Sequence, residues 1–584
     1  MRRIASSLIV ALLFSSLFAF ALIIQPAKAE PGTIYIRADG SIDPPTAPIS
    51  TVDNITYTFT GDIINDSITI ERDNITVDGA GYTIQGPGYL IGLDLSGRNN
   101  VTVRNMKIEK FYHGVSLGSN CTISNNTVAN NDFGVYSDSS SGNTVSGNNI
   151  TSNGDHGVWL VSSNYNTVSG NNIANNYDGV LISWGSGLNT VSGNNITANR
   201  ESGVWTESSS NTTVSGNNIT ANNHFGVYFG PSANNTLSEN VFIDDGLHLG
   251  DSYDNAVADN SVNGKPLVYL VGVSDMVVED AGQVILINCN RIRVENLNLS
   301  HTTVGAELWS TNSTTVSGNN ITNNEYGVDL FSSSNNTVSG NTLANNVQGG
   351  ISLDGSNNTI YHNNFINSTN QASSYTDSNN VWDDGYPSGG NYWSDYNGDD
   401  RLSGPFQNET GSDGIGDTAY TMDGINIDHY PLIAPCAMSS FVANLSGSTR
   451  PINVEVISNS TVRNVQVDET AKTLSFNVSG ETGTSGFSRI TVPNIIVESF
   501  WNGNYTLLMN GEPWPFTSSS DTQNTYIYIN YTHSEHQIII EHQIIVVPEF
   551  PSNLFIAAFM MSTILYVMIS KRRKKRAGYA WFAH

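Results

Sequence analysis

Aromatic and acidic side chains recur at fixed places in the middle of this chain. Tyr136, Trp159, Leu181, Trp205 and Tyr228 each follow a Gly-Val pair, at spacings of 22 to 24 residues. Just before each glycine stand Asp132-Phe133, Asp155-His156, Tyr177-Asp178, Glu201-Ser202 and His224-Phe225, with Tyr112-His113 one copy earlier. Side chains alternate along a strand, so inward valines send the following residue outward. The copies then build a lateral face of rings beside carboxylates and imidazoles. Such a face suits a long polysaccharide, because ring faces stack on the apolar faces of sugars while acids accept hydroxyl protons. The candidate ligand-binding residues are Tyr136, Trp159, Trp205, Tyr228, Asp132, Asp155, His156, Asp178, Glu201 and His224. The pattern also has a plain reading, since aromatics are favoured on sheet surfaces for cross-strand packing alone.

Three other chemistries can be weighed on the same residues. Asp132, Asp155, Asp178 and Glu201, on consecutive copies, fall near the ~5 to 9 Å separations of two-carboxylate glycosidases. Repetition alone puts acids at such distances, so a hydrolase or lyase stands as an alternative and no catalytic residue is assigned. His113, His156, His224, His248 and His301 are the conceivable copper ligands, but ligands must converge to about 2 Å from one ion. His113 and His156 lie two copies apart, roughly 9.6 Å at strand spacing. Calcium is the better metal, since Asp395, Asp399, Asp400, Asp413 and Asp417 offer hard oxygens among glycines, although without helix-loop-helix spacing.

The element that must position these residues is a repeat. Asn143-Thr-Val-Ser-Gly-Asn-Asn-Ile150 returns at 166–173 and 189–196, and in related form at 212–219 and 315–321; Val145, Val168, Val191 and Val214 are 23 residues apart. A period of this length means a solenoid. Within a copy, short alternating apolar pieces are separated by Asn, Gly and Ser turns with no helical period, which predicts an all-β, right-handed parallel β-helix. Asn126, Asn149, Asn172, Asn195 and Asn218 are expected to stack as an amide ladder at the corner or inside. The divisions expected are a cap at 30–75, β-helix repeats at 76–372, with longer corners at 239–316, an aromatic and Asp/Gly-rich cap at 373–435 and a β-sandwich stalk at 436–545.

The two ends predict export and anchoring. Residues 1–29 have a basic start, an apolar run and the Ala27-Lys-Ala29 site of a signal peptide. Residues 546–584 carry Pro548-Glu-Phe550, an apolar stretch from Leu554 to Ile569 and the cluster Lys571 to Arg576, the pattern of a single membrane-spanning helix with a cytoplasmic basic tail. A net charge of -28 without a basic stripe excludes nucleic acid as a partner. About two dozen Asn-x-Ser/Thr sequons, among them Asn149, Asn195, Asn218 and Asn320, fit either a glycoprotein or the corner chemistry of the solenoid. Cys121, Cys289 and Cys436 are too dispersed for a disulfide framework and are expected as buried thiols.

The segment Asn263-Gly-Lys-Pro-Leu-Val-Tyr-Leu270, with Ala281 to Cys289, Val294 to Ser300 and Thr303-Val-Gly305, closely resembles the NosD family of exported right-handed β-helix proteins. The resemblance spans residues 60 to 435 and takes in the cap motifs Gly390-Asn-Tyr-Trp-Ser-Asp395 and Asp413-Gly-Ile-Gly-Asp417. It implies a copper-associated accessory role in nitrous-oxide reductase maturation, and repeats like those of carbohydrate-binding and sugar-hydrolase helices. It places no catalytic or copper residue here. The Pro-Glu-Phe tail resembles the sorting tails of archaeal surface proteins, which implies a substrate for a sortase-like enzyme that cuts the helix. The leading expectation is a displayed surface protein binding polysaccharide or envelope components.

Overall fold

The computed structural model describes residues 32–374, 378–443, 452–543 and 552–578. The expected signal peptide and the Pro-Glu-Phe motif lie outside the described residues. Among those described, the chain divides into two compact units, 1–438 with 457–459, and 439–456 with 460–584.

The first unit is a parallel β-helix with three strand faces. On the first face Ile91–Asp94, His113–Leu117, Phe133–Asp138, Val158–Val161, Val180–Ser183, Ser202–Thr206, Phe225–Phe229 and Leu247–Leu249 pair in parallel order. The second face stacks Thr144–Ser146 on Thr167–Ser169 and the third stacks Asn149–Thr151 on Asn172–Ala174, and so on through the repeats. Val135, Val145, Ile150 and their successors fill the interior, each essentially without solvent contact. Strands already join these faces at Thr33–Ile36 and Thr56–Phe59, within the segment expected as a cap.

Buried asparagines hold the corners in register. Asn126, Asn148, Asn171, Asn194, Asn217, Asn240 and Asn260 form one line, each Nδ2 donating to the next Oδ1 at 2.9 to 3.2 Å. A second line runs Asn131, Asn153, Asn176, Asn199, Asn222 and ends on Asp245. The expected ladder was misregistered at its start. Asn126 belongs to the buried line, because the copy after it is 22 residues long, whereas Asn149, Asn172, Asn195 and Asn218 form a separate outer ladder.

The loss of repeat text after residue 239 has a different cause from the longer corners expected. Ser261–Val262 and Lys265–Val271 pair antiparallel across Asn263 and Gly264, both at positive φ, as a two-residue hairpin requires. The hairpin turns the chain, and a second stack follows with its own core from Val278 to Trp393. Its Gln283–Ile287, Val304–Trp309, Tyr326–Phe331 and Gly349–Leu353 strands extend the third face of the first stack.

The second unit has two five-stranded sheets over one core that includes Phe476, Trp501, Ile527 and Ile540. Cys121, Cys289 and Cys436 are free and buried, as expected. Ser552–Gly578 is helical. Among the described residues, however, no helix is long and apolar enough to cross a membrane.

The two ladders predict unequal effects. Asn194 accepts from the Asn171 N–H and Nδ2 and donates to Val168 O and Asn217 Oδ1, all at 2.9 Å and out of water. Asn194→Ala is expected to cost about 3 kcal/mol, because buried partners are left unmatched. Asn195→Ala, on the exposed ladder, is expected to cost under about 1 kcal/mol. Denaturant unfolding of both variants checks the order.

Candidate functional site

Strand register builds the lateral face. Ser116, Tyr136, Trp159, Leu181, Trp205, Tyr228 and His248 occupy one outward row on successive strands. The four aromatic residues proposed from sequence therefore share a row, half-exposed above buried valines. Two ring clusters result. His113 contacts Tyr136 at 4.3 Å between centroids, Tyr136 contacts Trp159 at 5.2 Å, and Phe133 stacks on Trp159 at 5.3 Å. Leu181 interrupts the row, after which Trp205 meets Tyr228 at 5.2 Å and Tyr228 meets His248 at 5.7 Å. Trp159 Nε1 donates to Ser183 Oγ at 3.0 Å, which fixes its ring.

The acids divide. Asp132 is exposed, and Asp155 Oδ1 lies 3.2 Å from His156 Nε2. Asp178 is 1% exposed and cannot meet a ligand at the surface. It is the one proposed contact that the structure withdraws, for its Oδ1 accepts the Ser202 N–H at 2.9 Å and its Oδ2 lies 3.0 Å from His156 Nδ1. It thus positions His156. Glu201 Oε2 is 3.7 Å from His224 Nδ1. Arg200, which the pattern of rings and acids does not single out, holds its guanidinium 5.8 Å from the Tyr177 ring centroid.

The face ends in a buried cluster that sequence spacing hides. Leu247–Leu249 is the last strand of the first face, so its outer backbone groups need partners from elsewhere. Gln283 Oε1 accepts from Leu247 N at 3.0 Å, and Glu307 Oε1 accepts from Leu249 N at 3.2 Å and from Trp309 Nε1 at 2.5 Å. Glu307 Oε2 is buried without a hydrogen-bond partner. His248 Nε2 lies 4.0 Å from Glu307 Oε1 and 3.8 Å from Asp329 Oδ2, and His224 Nε2 lies 2.9 Å from Glu325 Oε1. Burial pushes the Glu307 carboxyl up to about 7, against the pull of His248. Burial lowers the His248 value, but Glu307 and Asp329 outweigh it and hold the imidazole above its ordinary range. The only sequence signal for this meeting was the Asn263-Gly264 hairpin, because the residues come from both stacks.

The cap carboxylates do not converge. Asp400 accepts from Ser412 Oγ and from the N–H groups of Asp413 and Gly414; Asp417 accepts from the N–H groups of Arg401 and Leu402. Asp395 accepts from Tyr420 Oη, Asp399 pairs with Arg401, and Asp413 accepts from Gln407 Nε2 and Ile415 N. Their lone pairs serve turn backbone and neighbouring side chains. Among the described residues no group of three or more His, Cys, Asp or Glu side chains is placed to hold a metal. His156, His224 and His248 face carboxylates, and His113 Nδ1 faces Ser116 Oγ at 3.0 Å.

The chain is thus a right-handed parallel β-helix protein. Residues 63–217 and 114–263 match the sequence model of the right handed beta helix region. Residues 245–398, which begin at the last strand of the first face and take in the second stack, match that of the periplasmic copper-binding protein NosD. No curated protein sequence matches the chain. Among solved structures, the mannuronan C-5 epimerase AlgE6 A-module of Azotobacter vinelandii is 14% identical, covering 56% of this chain and 87% of its own, with a TM-score of 0.26. The catalytic unit of the α-1,3-glucanase of Streptomyces thermodiastaticus is 14% identical over 61% and 69%, with a TM-score of 0.30. The tailspike of E. coli bacteriophage HK620, in complex with a hexasaccharide, is 11% identical over 84% and 81%, with a TM-score of 0.34.

The junction predicts a pH dependence of stability. A carboxyl raised from 4.5 to about 7 disfavours the fold increasingly as pH rises between those values. The His248 contribution is full below about 6.5 and is lost as pH rises through its higher folded value, so the two have the same sign. The melting temperature is expected to fall from pH 5 to pH 8. Asp245 and Asp428, also raised by burial, act in the same sense, so the informative comparison is with Glu307→Gln, which should show a visibly smaller fall in paired thermal melts.

Proposed function

We propose that this is an exported, surface-anchored β-helix protein whose first face binds polysaccharide. The observation that carries the reading is the in-register outward row of Tyr136, Trp159, Trp205 and Tyr228, flanked by Asp132, Asp155, His156, Glu201 and His224. Rings repeated along a rigid axis offer a polymer many weak stacking contacts at once, and the neighbouring acids and imidazoles offer acceptors and donors to its hydroxyls. Leu181 divides the row into two ring clusters, which suits an extended ligand held at two places. Anchoring rests on the helix Ser552–Gly578, where Phe559, Met561 and Tyr566 are exposed and Lys571 to Arg573 follow the apolar part. The NosD-like segment and the expected leader support export.

Binding of the protein to immobilised neutral and acidic polysaccharides tests the reading. Trp159→Ala with Trp205→Ala is expected to weaken binding by about tenfold or more while the melting temperature changes little, each ring contributing about 0.5 to 1.5 kcal/mol. Equal binding by parent and double variant would reject the face.

A further inference from the structure

The corner from the first face to the second carries a left-handed position just before the second-face strand, and several coils carry another earlier in the corner. The position nearest the second face is held by Asn120, Gly142, Asn211 and Asn234 in the first stack, and by Ser313, Asn335 and Asn357 in the second, where Arg291 also holds it and pairs with Asp275. Asn and Gly are the residues that accept this conformation at low cost, and bulky side chains there are outliers. Two consecutive coils break the rule with Tyr165 at φ 58° and Leu188 at φ 57°. The backbone bonds Gly142 N to Asn164 O, Tyr165 N to Gly187 O and Leu188 N to Ser210 O confirm that these are the same position on successive coils. The earlier position is Ser139, Ser162 and Ser208 in neighbouring coils, whereas the coil that carries Leu188 is one residue longer there and has both Trp184, at φ 59°, and Gly185 left-handed.

These substitutions carry strain without any return in packing. Trp184 is 73% exposed, Tyr165 65% and Leu188 48%. No ring contact among the described residues involves Trp184 or Tyr165, in contrast to the interlocked rings of the lateral face. Strain kept at an exposed site points to a task outside the fold. The two loops themselves state the chemistry: residues 162–166 and 184–189 contain Asn, Ser and Gly and no charged group, with the exposed Glu207 on the next coil as the adjoining carboxylate. Ser162 Oγ donates to Trp184 O, and Asn164 Oδ1 accepts from Gly187 N, so the loops beneath the rings are tied together. The patch adjoins the proposed binding face, for Trp184 directly follows Ser183, the acceptor of Trp159 Nε1.

We infer that Tyr165, Trp184 and Leu188 form a second sugar-binding site, selective for neutral polysaccharide, at the corner beside the lateral face. The inference rests on the polysaccharide reading of that face for its ligand class. Uncharged rings among amides and hydroxyls match the apolar faces and hydroxyl edges of neutral pyranoses, whereas the lateral face adds carboxylates.

The test restores the corner's own residues. Tyr165→Asn, Trp184→Ser and Leu188→Asn are combined in the full chain, made in a host that does not N-glycosylate. Binding to laminarin, yeast mannan and alginate is compared with the parent and with Trp159→Ala/Trp205→Ala. The expected result is at least about tenfold weaker laminarin or mannan binding with a melting temperature equal to or above that of the parent, since left-handed strain is relieved. Undiminished neutral-glycan binding, with loss only in the lateral-face variant, would overturn the corner site and leave the lateral face standing. A fall of several degrees in melting temperature would mark the rings as structural. A parent that self-associates while the triple variant is monomeric would assign the patch to a second copy of the chain, and a parent that binds none of the glycans would remove both readings.

Discussion

Everything in the first unit depends on successive coils stacking in strict register, and the buried amide lines enforce it. Apolar ladders of Val145, Val168, Val191 and Val214 fill the interior but tolerate sliding, since dispersion contacts have little direction. An asparagine that must meet the next asparagine at 2.9 Å tolerates none. Each amide also satisfies backbone groups at a corner, where the strand ladder is broken and unmatched polar groups would be costly. The outward row of rings is aligned because the inward amides are.

The repeat made the architecture, the inward valines and the outward position of Tyr136, Trp159, Trp205 and Tyr228 legible, because period-two alternation and coil length are local properties. Three features escaped for different reasons. Asn126 was placed on the wrong ladder because one coil is a residue shorter, and a one-residue shift exchanges inside and outside. Asp178 was read as surface because its neighbours are, although the Ser202 N–H and His156 draw it inward. The cluster of His248, Glu307, Glu325 and Asp329 joins residues far apart in the chain, and no periodic signal connects them. Asn263-Gly264 was its local mark, yet such a dipeptide does not disclose which distant side chains the reversal brings together.

Reversal at that hairpin shapes the end of the binding face. A parallel stack that stops leaves a strand edge, and such edges invite pairing with other chains. Here the edge of Leu247–Leu249 is met by Gln283 and Glu307 from the second stack rather than by another strand. Closure by a carboxyl group brings a titratable centre under the surface, next to the last rings of the row. The lateral face thus ends on a group that responds to acidity.

The amide lines also have a direction. Along the buried lines each Asn Nδ2 donates to the next coil, and two lines finish on a carboxyl group: Asn222 donates to Asp245, and the Asn391 N–H donates to Asp428. Each of these two carboxyl groups receives the last donor with no further asparagine beyond it, so these two lines have a built-in stop. Between start and stop the copies are interchangeable, because each receives and donates in the same way. A coil inserted or removed there leaves both terminations intact. The length of the ring-bearing face is accordingly adjustable in single-coil steps, and gene duplication within the array can lengthen the grip without reopening either end.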